Sequence, residues 1–472
     1  MADVLWRRTA RELAELIRSG QVSSVEVVEA HLERIEAVNP ELNAVVLVLA
    51  DQALEAAKRA DQRKATGDGE LRPLHGVPVT IKENIDVAGT PTTNGVVALR
   101  EAVAPVDAPL VERLRAAGAV VIGRTNLPDM GLRISTDCSL WGLTRNPWHP
   151  DLTAGGSSGG EASALASGMS PLGAGNDIGG SLRNPAHCCG VSSLKPTTGR
   201  VPHATVIPPE DGPLSFQLMA VNGPMARDIA DVRLGLEIMN GPDRRDPASV
   251  PAPLAFPDSG GPVRVAMLPE PPGGSTDARV SEVVRQAGAH LAAAGYEVAE
   301  VTPPDYETAV ELWHSFLFTE LRALQPVLSQ VMGETAQRFL TAVLDSEPRL
   351  DLEAYVDTFV RRRRLARAWG DFFVEYPVIL SPVWSQPAFR HGWDAESDQN
   401  AVATIELLRP VMPANLLGLP AAATPGGLVD GMPIGVQCMA APFRDDRALD
   451  AAEAIQAAVG RLVPVDPFVN GG

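Results

Sequence analysis

Apolar spacing divides the chain into a helical opening, two stretches that alternate strand and helix, and a glycine-rich centre between them. Within residues 9–64, Leu13, Leu16 and Ile17 share one helical face, and Ser23 with Glu26 makes a capping-box pattern ahead of Val27, Leu32 and Ile35. These positions predict an N-terminal helical layer over 1–70. After the polar stretch Ala65–Pro73, the residues Val77, Val79 and Ile81 alternate as in a strand, which places Lys82 at its C-terminal end. A helix over 109–117 and the apolar run Ala119–Gly123 follow, and the order strand, helix, strand points to parallel-type pairing.

Between 143 and 200 the periodicity fades into Gly, Ser, Thr, Asn and Pro, with one clear helix in Glu161–Gly168. Such backbone freedom costs entropy on ordering, so its density implies that the main chain must approach something closely or adopt special dihedrals. The Pro-rich residues 242–263 read as a surface linker into a second αβ portion. There the strands Val263–Leu268 and Tyr296–Val301 flank a helix over 279–295, long helices run to about 374, and the strand Val378–Val383 follows. From Met412 the chain returns to strand-and-loop character and ends with a helix over 447–459. No internal repeat interrupts this order, and the middle reads as an excursion from one αβ scaffold, with a two-domain arrangement left open.

Composition narrows the function classes. With 472 residues the chain can bury a large core without staples. A formal net charge of −18 repels a phosphate backbone, so nucleic acid is not an expected partner. The single basic run, Arg361–Arg364, lies in a helical pattern and reads as a solvated face. Cys138, Cys188, Cys189 and Cys438 show no CxxC spacing, which predicts neither a zinc site nor a disulfide framework. The N-terminal stretch has scattered charges and no apolar run, and no window is apolar enough to span a membrane, so a cytoplasmic protein is expected.

Candidate chemistry concentrates in the glycine-rich centre. Gly155–Gly160 can be read twice as GxSxG, but a nucleophile elbow needs a strand immediately before it, and Asn146–Ala154 has two prolines and no alternation. Gly173–Gly179 is one residue too long for a dinucleotide loop, and neither GxxxxGK nor HExxH occurs. His187 and His203 are the nearest histidines to these serines, yet neither is an obvious base. Lysine can take that role when burial disfavours its charged form, and Lys82 is a candidate.

The segments HGVPVTIKENI (75–85), GGSSGG (155–160), GNDIGGSLRNPAHCCGVSSLKPTTGRVP (175–202), PANLLGLPAAATP (413–425) and GMPIGVQ (431–437) resemble, in order, the amidase signature family. The resemblance implies an α/β fold with a large mixed central sheet between helical layers, in one domain over 1–472. It also implies a variable segment, 250–405, capping the active site. It places a catalytic trio on Lys82, Ser157 and Ser181, with a cis peptide at Gly156–Ser157, and an oxyanion hole on the backbone of Ile178, Gly179, Gly180 and Ser181. Ser158, Asp177 and Arg183 fall into supporting roles, the last two as an ion pair bracing the turn.

The implied activity is hydrolysis of a non-peptide amide through an acyl-enzyme, with ester, hydrazide or carbamate as related substrates. No metal and no cofactor are implied, the partner is a small carbonyl substrate, and a homodimer is left open. Two positions depart from the family pattern. Asn176 stands where Thr or Ser is common, and Leu408 stands where glutamine-hydrolysing amidotransferase subunits carry Asp, which argues against a glutaminase subunit. An uncharged apolar or aryl amide is expected, with Trp313, Phe316, Phe318 and Trp384 as candidate lining.

Overall fold

The computed structural model describes residues 5–67, 71–208, 210–257 and 260–468, so the polar stretch after the first helices and the Pro-rich linker fall partly outside the described residues. Both capping boxes at the start are formed: Thr9 with Glu12 opens the helix Ala10–Arg18, and Ser23 with Glu26 opens Ser24–Leu42. The opening layer is not helical throughout. Asn43 adopts φ 51°, which ends the second helix, and Val45–Val48 pairs antiparallel with Val120–Thr125. A run of β-branched residues with an edge to pair against favours a strand over a further helical turn.

Eleven strands form the central sheet: β1 (Val45–Val48), β2 (Pro78–Lys82), β3 (Val120–Thr125), β4 (Leu172–Asp177), β5 (Ser192–Lys195), β6 (Val221–Ala226), β7 (Arg264–Met267), β8 (Glu297–Glu300), β9 (Val378–Pro382), β10 (Ala421–Val429) and β11 (Met432–Ala440). Their spatial order is β1-β3-β2-β4-β6-β5-β10-β11-β9-β7-β8. β2 runs parallel to β3 and β4, β7 runs parallel to β8 and β9, and the pairs between β4 and β9 are antiparallel. The sheet is therefore mixed, as expected. Residues 250–405 supply three of its strands as well as helices, so that segment is built into the scaffold.

Alternation along the strands distributes side chains to two helical layers. Val378 and Leu380 pack with the helices Ala278–Ala293 and Asp445–Val459, in the layer that also holds Ala10–Arg18, whereas Ile379 faces the cluster built around Trp313, Phe316 and Trp369. The same period of two on β2 sends Val79 and Ile81 into the first layer. Thr80 and Lys82 therefore point to the opposite face.

The glycine-rich centre contains strands that its composition concealed. β4, with sequence LGAGND, lies against the helix Gly159–Ala166, and a Cβ at Gly173 would collide with Glu161 Oε1. At Gly175 it would sit 2.7 Å from Ser158 Oγ, and at Gly223 on β6 it would collide with the Leu194 carbonyl. Glycine is needed here because other atoms occupy the space of a side chain. Among the described residues no helix is long and apolar enough to cross a membrane.

Candidate active site

Lys82 ends β2, is fully buried, and faces the Gly155–Gly160 loop. Its Nζ donates to Ser157 Oγ at 2.7 Å and to Asn176 Oδ1 at 2.6 Å. Burial pushes the Lys82 ammonium down to about 7, against the opposing pull of the Asp177 and Glu161 carboxylates. Burial thus favours the neutral amine, the form that can accept a proton.

Glu161, which the sequence reading missed, lies beneath the lysine. Its carboxylate accepts from the Thr80 hydroxyl and from Thr125 Oγ1 at 2.8 Å, and burial raises its carboxyl to about 7 against those bonds and Lys82. A lone glutamate in an apolar helix carried no sequence signal beyond the small glycine facing it.

The Gly156–Ser157 peptide is cis. Gly156 N–H donates to Asn184 Oδ1 at 3.0 Å, and Thr136 Oγ1 donates to the Gly155 carbonyl at 2.8 Å, so side chains from two other segments hold this loop. A strand does precede it, contrary to the sequence expectation: His149–Thr153 pairs with Arg145–Asn146. This is a separate short hairpin outside the central sheet, and Asn146 Nδ2 closes it on the Thr153 carbonyl at 2.9 Å, a side-chain bond that alternation could not reveal. The serine it delivers is paired with lysine, not histidine. Gly435 N–H and the Gln386 carbonyl occupy the His187 ring, whose pKa burial pushes down to about 4, while His203 reaches the cavity wall with no bond from its ring to either serine.

Ser181 follows β4 across the turn Ile178-Gly179-Gly180. Both Ser157 and Ser181 line one cavity of about 510 Å³. Among the described residues Ser181 Oγ makes no hydrogen bond, and the two segments meet instead through Ser158 N–H donating to the Ser181 carbonyl at 3.2 Å. Ser158 Oγ points back to the Asn176 carbonyl at 3.4 Å. Apo sites commonly hold such a relay open until substrate arrives.

Of the four N–H groups expected to converge on an oxyanion, one has a partner within the turn. Gly180 N–H donates to Asp177 Oδ1 at 2.8 Å, so it is committed to holding the turn. Among the described residues the N–H groups of Ile178, Gly179 and Ser181 have no partner. Trp313, 135 residues from Ile178, buttresses this turn: its Nε1 donates to the Ile178 carbonyl at 3.0 Å, and a Cβ on Gly179 would sit 2.6 Å from its Cζ2.

Behind the turn lies a buried polar network. Asp177 receives Arg183 Nε and Nη2, both at 3.0 Å, together with Leu182 N–H at 3.1 Å and Asn415 Nδ2 at 2.9 Å. Arg183 in turn reaches Gln437 Oε1 at 2.9 Å and Asn415 Oδ1 at 2.5 Å. Burial alone would raise the Asp177 carboxyl, and the Arg183 guanidinium overrides it, holding the carboxyl well below the usual carboxylate range. Asn415 and Gln437 sit in the two C-terminal motif segments, and this network is what those segments have in common.

The cavity wall combines Met130, Leu132, Ile178, Phe216, Leu321 and Leu324 with a polar rim that includes Asp86, Asp107, Asp211 and Arg245. Trp313, Phe316, Phe318 and Trp384, expected as lining, belong to the buried core instead; helix Tyr306–Val331, which carries the first three, turns Leu321, Leu324 and Leu328 to the cavity in their place. Leu408 is likewise buried in the core and does not reach the cavity.

Comparison with known proteins agrees with this geometry. The model of the family described as Amidase matches residues 26–449. An indoleacetamide hydrolase from Bradyrhizobium diazoefficiens is 45% identical over 460 residues, 97% of this chain and 88% of that protein. An acylamidase from Rhodococcus erythropolis is 34% identical over 461 residues, 95% of each chain. Among solved structures, a bacterial aryl acylamidase of the amidase signature family superposes with a TM-score of 0.81 at 26% identity, covering 96% of each chain. This chain belongs to the amidase family, and it is an amidase that hydrolyses non-peptide carbon–nitrogen bonds.

Proposed function

We propose that this enzyme hydrolyses an uncharged arylacetamide-type primary amide to a carboxylate and ammonia, with Ser181 as nucleophile and Ser157 and Lys82 as its proton relay. The observation that carries the reading is a fully buried lysine, its ammonium disfavoured by that burial, bonded at 2.7 Å to a serine that shares a partly apolar cavity with Ser181. The 45% identity to an indoleacetamide hydrolase supports the aryl acyl group. A cavity of about 510 Å³ has room for a bicyclic ring with its side chain.

In the first step Ser181 Oγ adds to the carbonyl carbon, its proton passes to Ser157 Oγ, and the Ser157 proton passes to Lys82 Nζ. The carbonyl oxygen becomes an anion held by the N–H groups of Ile178, Gly179 and Ser181, each worth roughly 100-fold to 1000-fold in rate in comparable sites. The relay then runs backwards, the carbon–nitrogen bond breaks, and the protonated amine departs as ammonia. Water repeats the sequence on the Ser181 ester and releases the acid. Esters, hydrazides and carbamates of similar shape offer the same carbonyl and are secondary substrates of this site. We also infer a reducing, cytoplasmic setting, supported by four free buried cysteines.

The test is ammonia or amine release from a panel of arylacetamides, aliphatic amides, carbamates and glutamine by wild type, Ser181→Ala and Lys82→Ala. Turnover of arylacetamides that falls by several orders of magnitude in both variants supports the proposal. Turnover of glutamine alone would replace it with the glutaminase reading.

A further inference from the structure

Lysine as a base presents a geometric problem that the residues around Lys82 address. A neutral amine has two N–H groups and one lone pair. Only the lone pair can take the Ser157 proton, and any hydrogen-bond donor beside Nζ would compete for it.

The second neighbour of Nζ is Asn176 Oδ1 at 2.6 Å, and an amide can in principle turn either end towards an amine. Here the other end is engaged, because Asn176 Nδ2 donates to Asn84 Oδ1 at 2.8 Å. Turning the Asn176 amide over alone would set its N–H groups against Nζ and its oxygen against the Asn84 oxygen, losing both bonds. Asn84 follows Lys82 by two residues, and both amides stand on the cavity wall. The Ser or Thr hydroxyl common at position 176 in this family can rotate between donor and acceptor, whereas Asn176 offers Nζ an acceptor oxygen while its amide N–H is bonded to Asn84.

We propose that Asn176, whose amide N–H is engaged by Asn84, is a positioning residue that holds one N–H of Lys82 and so directs the amine's lone pair at the Ser157 hydroxyl. This rests on the reading of Lys82 as the base.

The charged groups that act on Lys82 are Glu161 from the helix Gly159–Ala166 and Asp177 from the end of β4. Arg124 on β3 donates to the carbonyls of Lys82 and Glu83 and is coupled to the Glu83 carboxylate. None of these is altered by changing Asn176, so substitutions there report on the amide contact itself. An acceptor oxygen stabilises the ammonium form; removing it lowers the pH at which Lys82 loses its proton, and replacing it with a carboxylate raises that pH.

The experiment is the pH dependence of kcat/KM and kcat for the full-length wild type, Asn176→Ala, Asn176→Asp and Asn84→Ala on one arylacetamide. The acid limb is expected to move up by about one pH unit or more in Asn176→Asp. It is expected to move down in Asn176→Ala and Asn84→Ala, with maximal kcat reduced about tenfold or more and KM little changed. A generally disordered site would not shift the limb in opposite directions. Asn176→Asp, which exchanges a single group for one of the same shape, keeps the test decisive where the alanine variant folds poorly. A limb that stays in place in both Asn176 variants overturns the inference. Lys82→Ala and Ser181→Ala assayed alongside separate the two levels: if both keep wild-type rates, the reading of the trio has failed, whereas if both are silent and the limb is fixed, only the role of the amide pair has failed.

Discussion

Replacing Arg183 with methionine isolates the network that holds the nucleophile turn. The substitution removes two 3.0 Å bonds to a fully buried Asp177 carboxylate and leaves Gln437 Oε1 and Asn415 Oδ1 without their donor. Breaking a buried ion pair by deleting one partner costs about 3–5 kcal/mol, because the remaining charge stays buried. A chain of 472 residues unfolds with an entropy near 1 kcal/mol/K, so about 4 kcal/mol corresponds to a fall of roughly 4 °C in Tm.

The sign of the pH dependence follows from Asp177. In wild type its carboxyl lies below the unfolded value, so it contributes stability at all pH above the unfolded pKa and loses it only as pH falls through the folded pKa. In Arg183→Met, burial acts unopposed by the guanidinium, the carboxyl moves up, and the penalty is relieved as acid protonates it. Calorimetry at fixed scan rate should therefore show a wild-type-minus-variant gap in Tm that narrows from pH 8 to pH 5. The double variant Asp177→Asn/Arg183→Met should regain part of the lost stability by removing the stranded charge. It should not regain activity, because the carboxylate that fixed Gly180 and Leu182 N–H is gone, and misplacement of the turn by about 1 Å is enough for a loss on the order of 100-fold in kcat. A gap that is constant with pH, or a double variant no more stable than Arg183→Met, would refute this electrostatic account of the turn.

Three further outcomes follow from the same site. The acid limb of kcat/KM in wild type should have a midpoint near pH 7, with about tenfold loss per pH unit below it, and Glu161→Gln should move that midpoint to lower pH by removing a carboxyl that favours the ammonium whenever it is ionised; a stopped assay across pH 5–9 reads both. Lys82→Met should abolish turnover yet melt a few degrees higher than wild type at pH 6. A buried amine whose pKa falls from 10.5 to about 7 carries a penalty on the order of 4 kcal/mol at that pH, and the advantage should shrink as pH rises from 7 to 10, where the unfolded chain still binds the proton that the folded one has released. Gly179→Ala should lower kcat about 100-fold while the protein stays folded, since the new Cβ would meet Trp313 Cζ2 at 2.6 Å, and Trp313→Leu in the same chain should recover part of that loss in steady-state assays.

What was legible in the sequence depended on whether a residue's role is local. Ser23 and Glu26 cap the same helix, and Val77, Val79 and Ile81 alternate along the same strand, so their pattern was readable without tertiary information. The meeting of Lys82 with Ser157, and of Ser157 with Ser181 on one cavity, was readable because ordered motifs surround each of them. β4 and β6 were not, since LGAGND and VNGPMA show no apolar–polar alternation, and the need for their glycines arises from Glu161, Ser158 and the Leu194 carbonyl pressing on them. Trp313 read as a candidate lining residue because its partners, Ile178 and Gly179, lie far upstream. The bond from Gly180 N–H to the carboxylate three residues earlier was likewise invisible in the sequence. Val45–Val48 was absorbed into a helical opening because a short apolar run has no decisive period, and the unpaired edge of β3 decided it.

The central claim is that Ser181 carries the acyl group, and intact-protein and peptide mass spectrometry of enzyme quenched during turnover of a slow arylacetic ester or anilide tests it most directly. The account predicts the acyl mass increment on the peptide containing Ser181, no such adduct in Ser181→Ala, and much slower accumulation in Lys82→Ala. An acyl group on another residue, or undiminished turnover by Ser181→Ala, would contradict it.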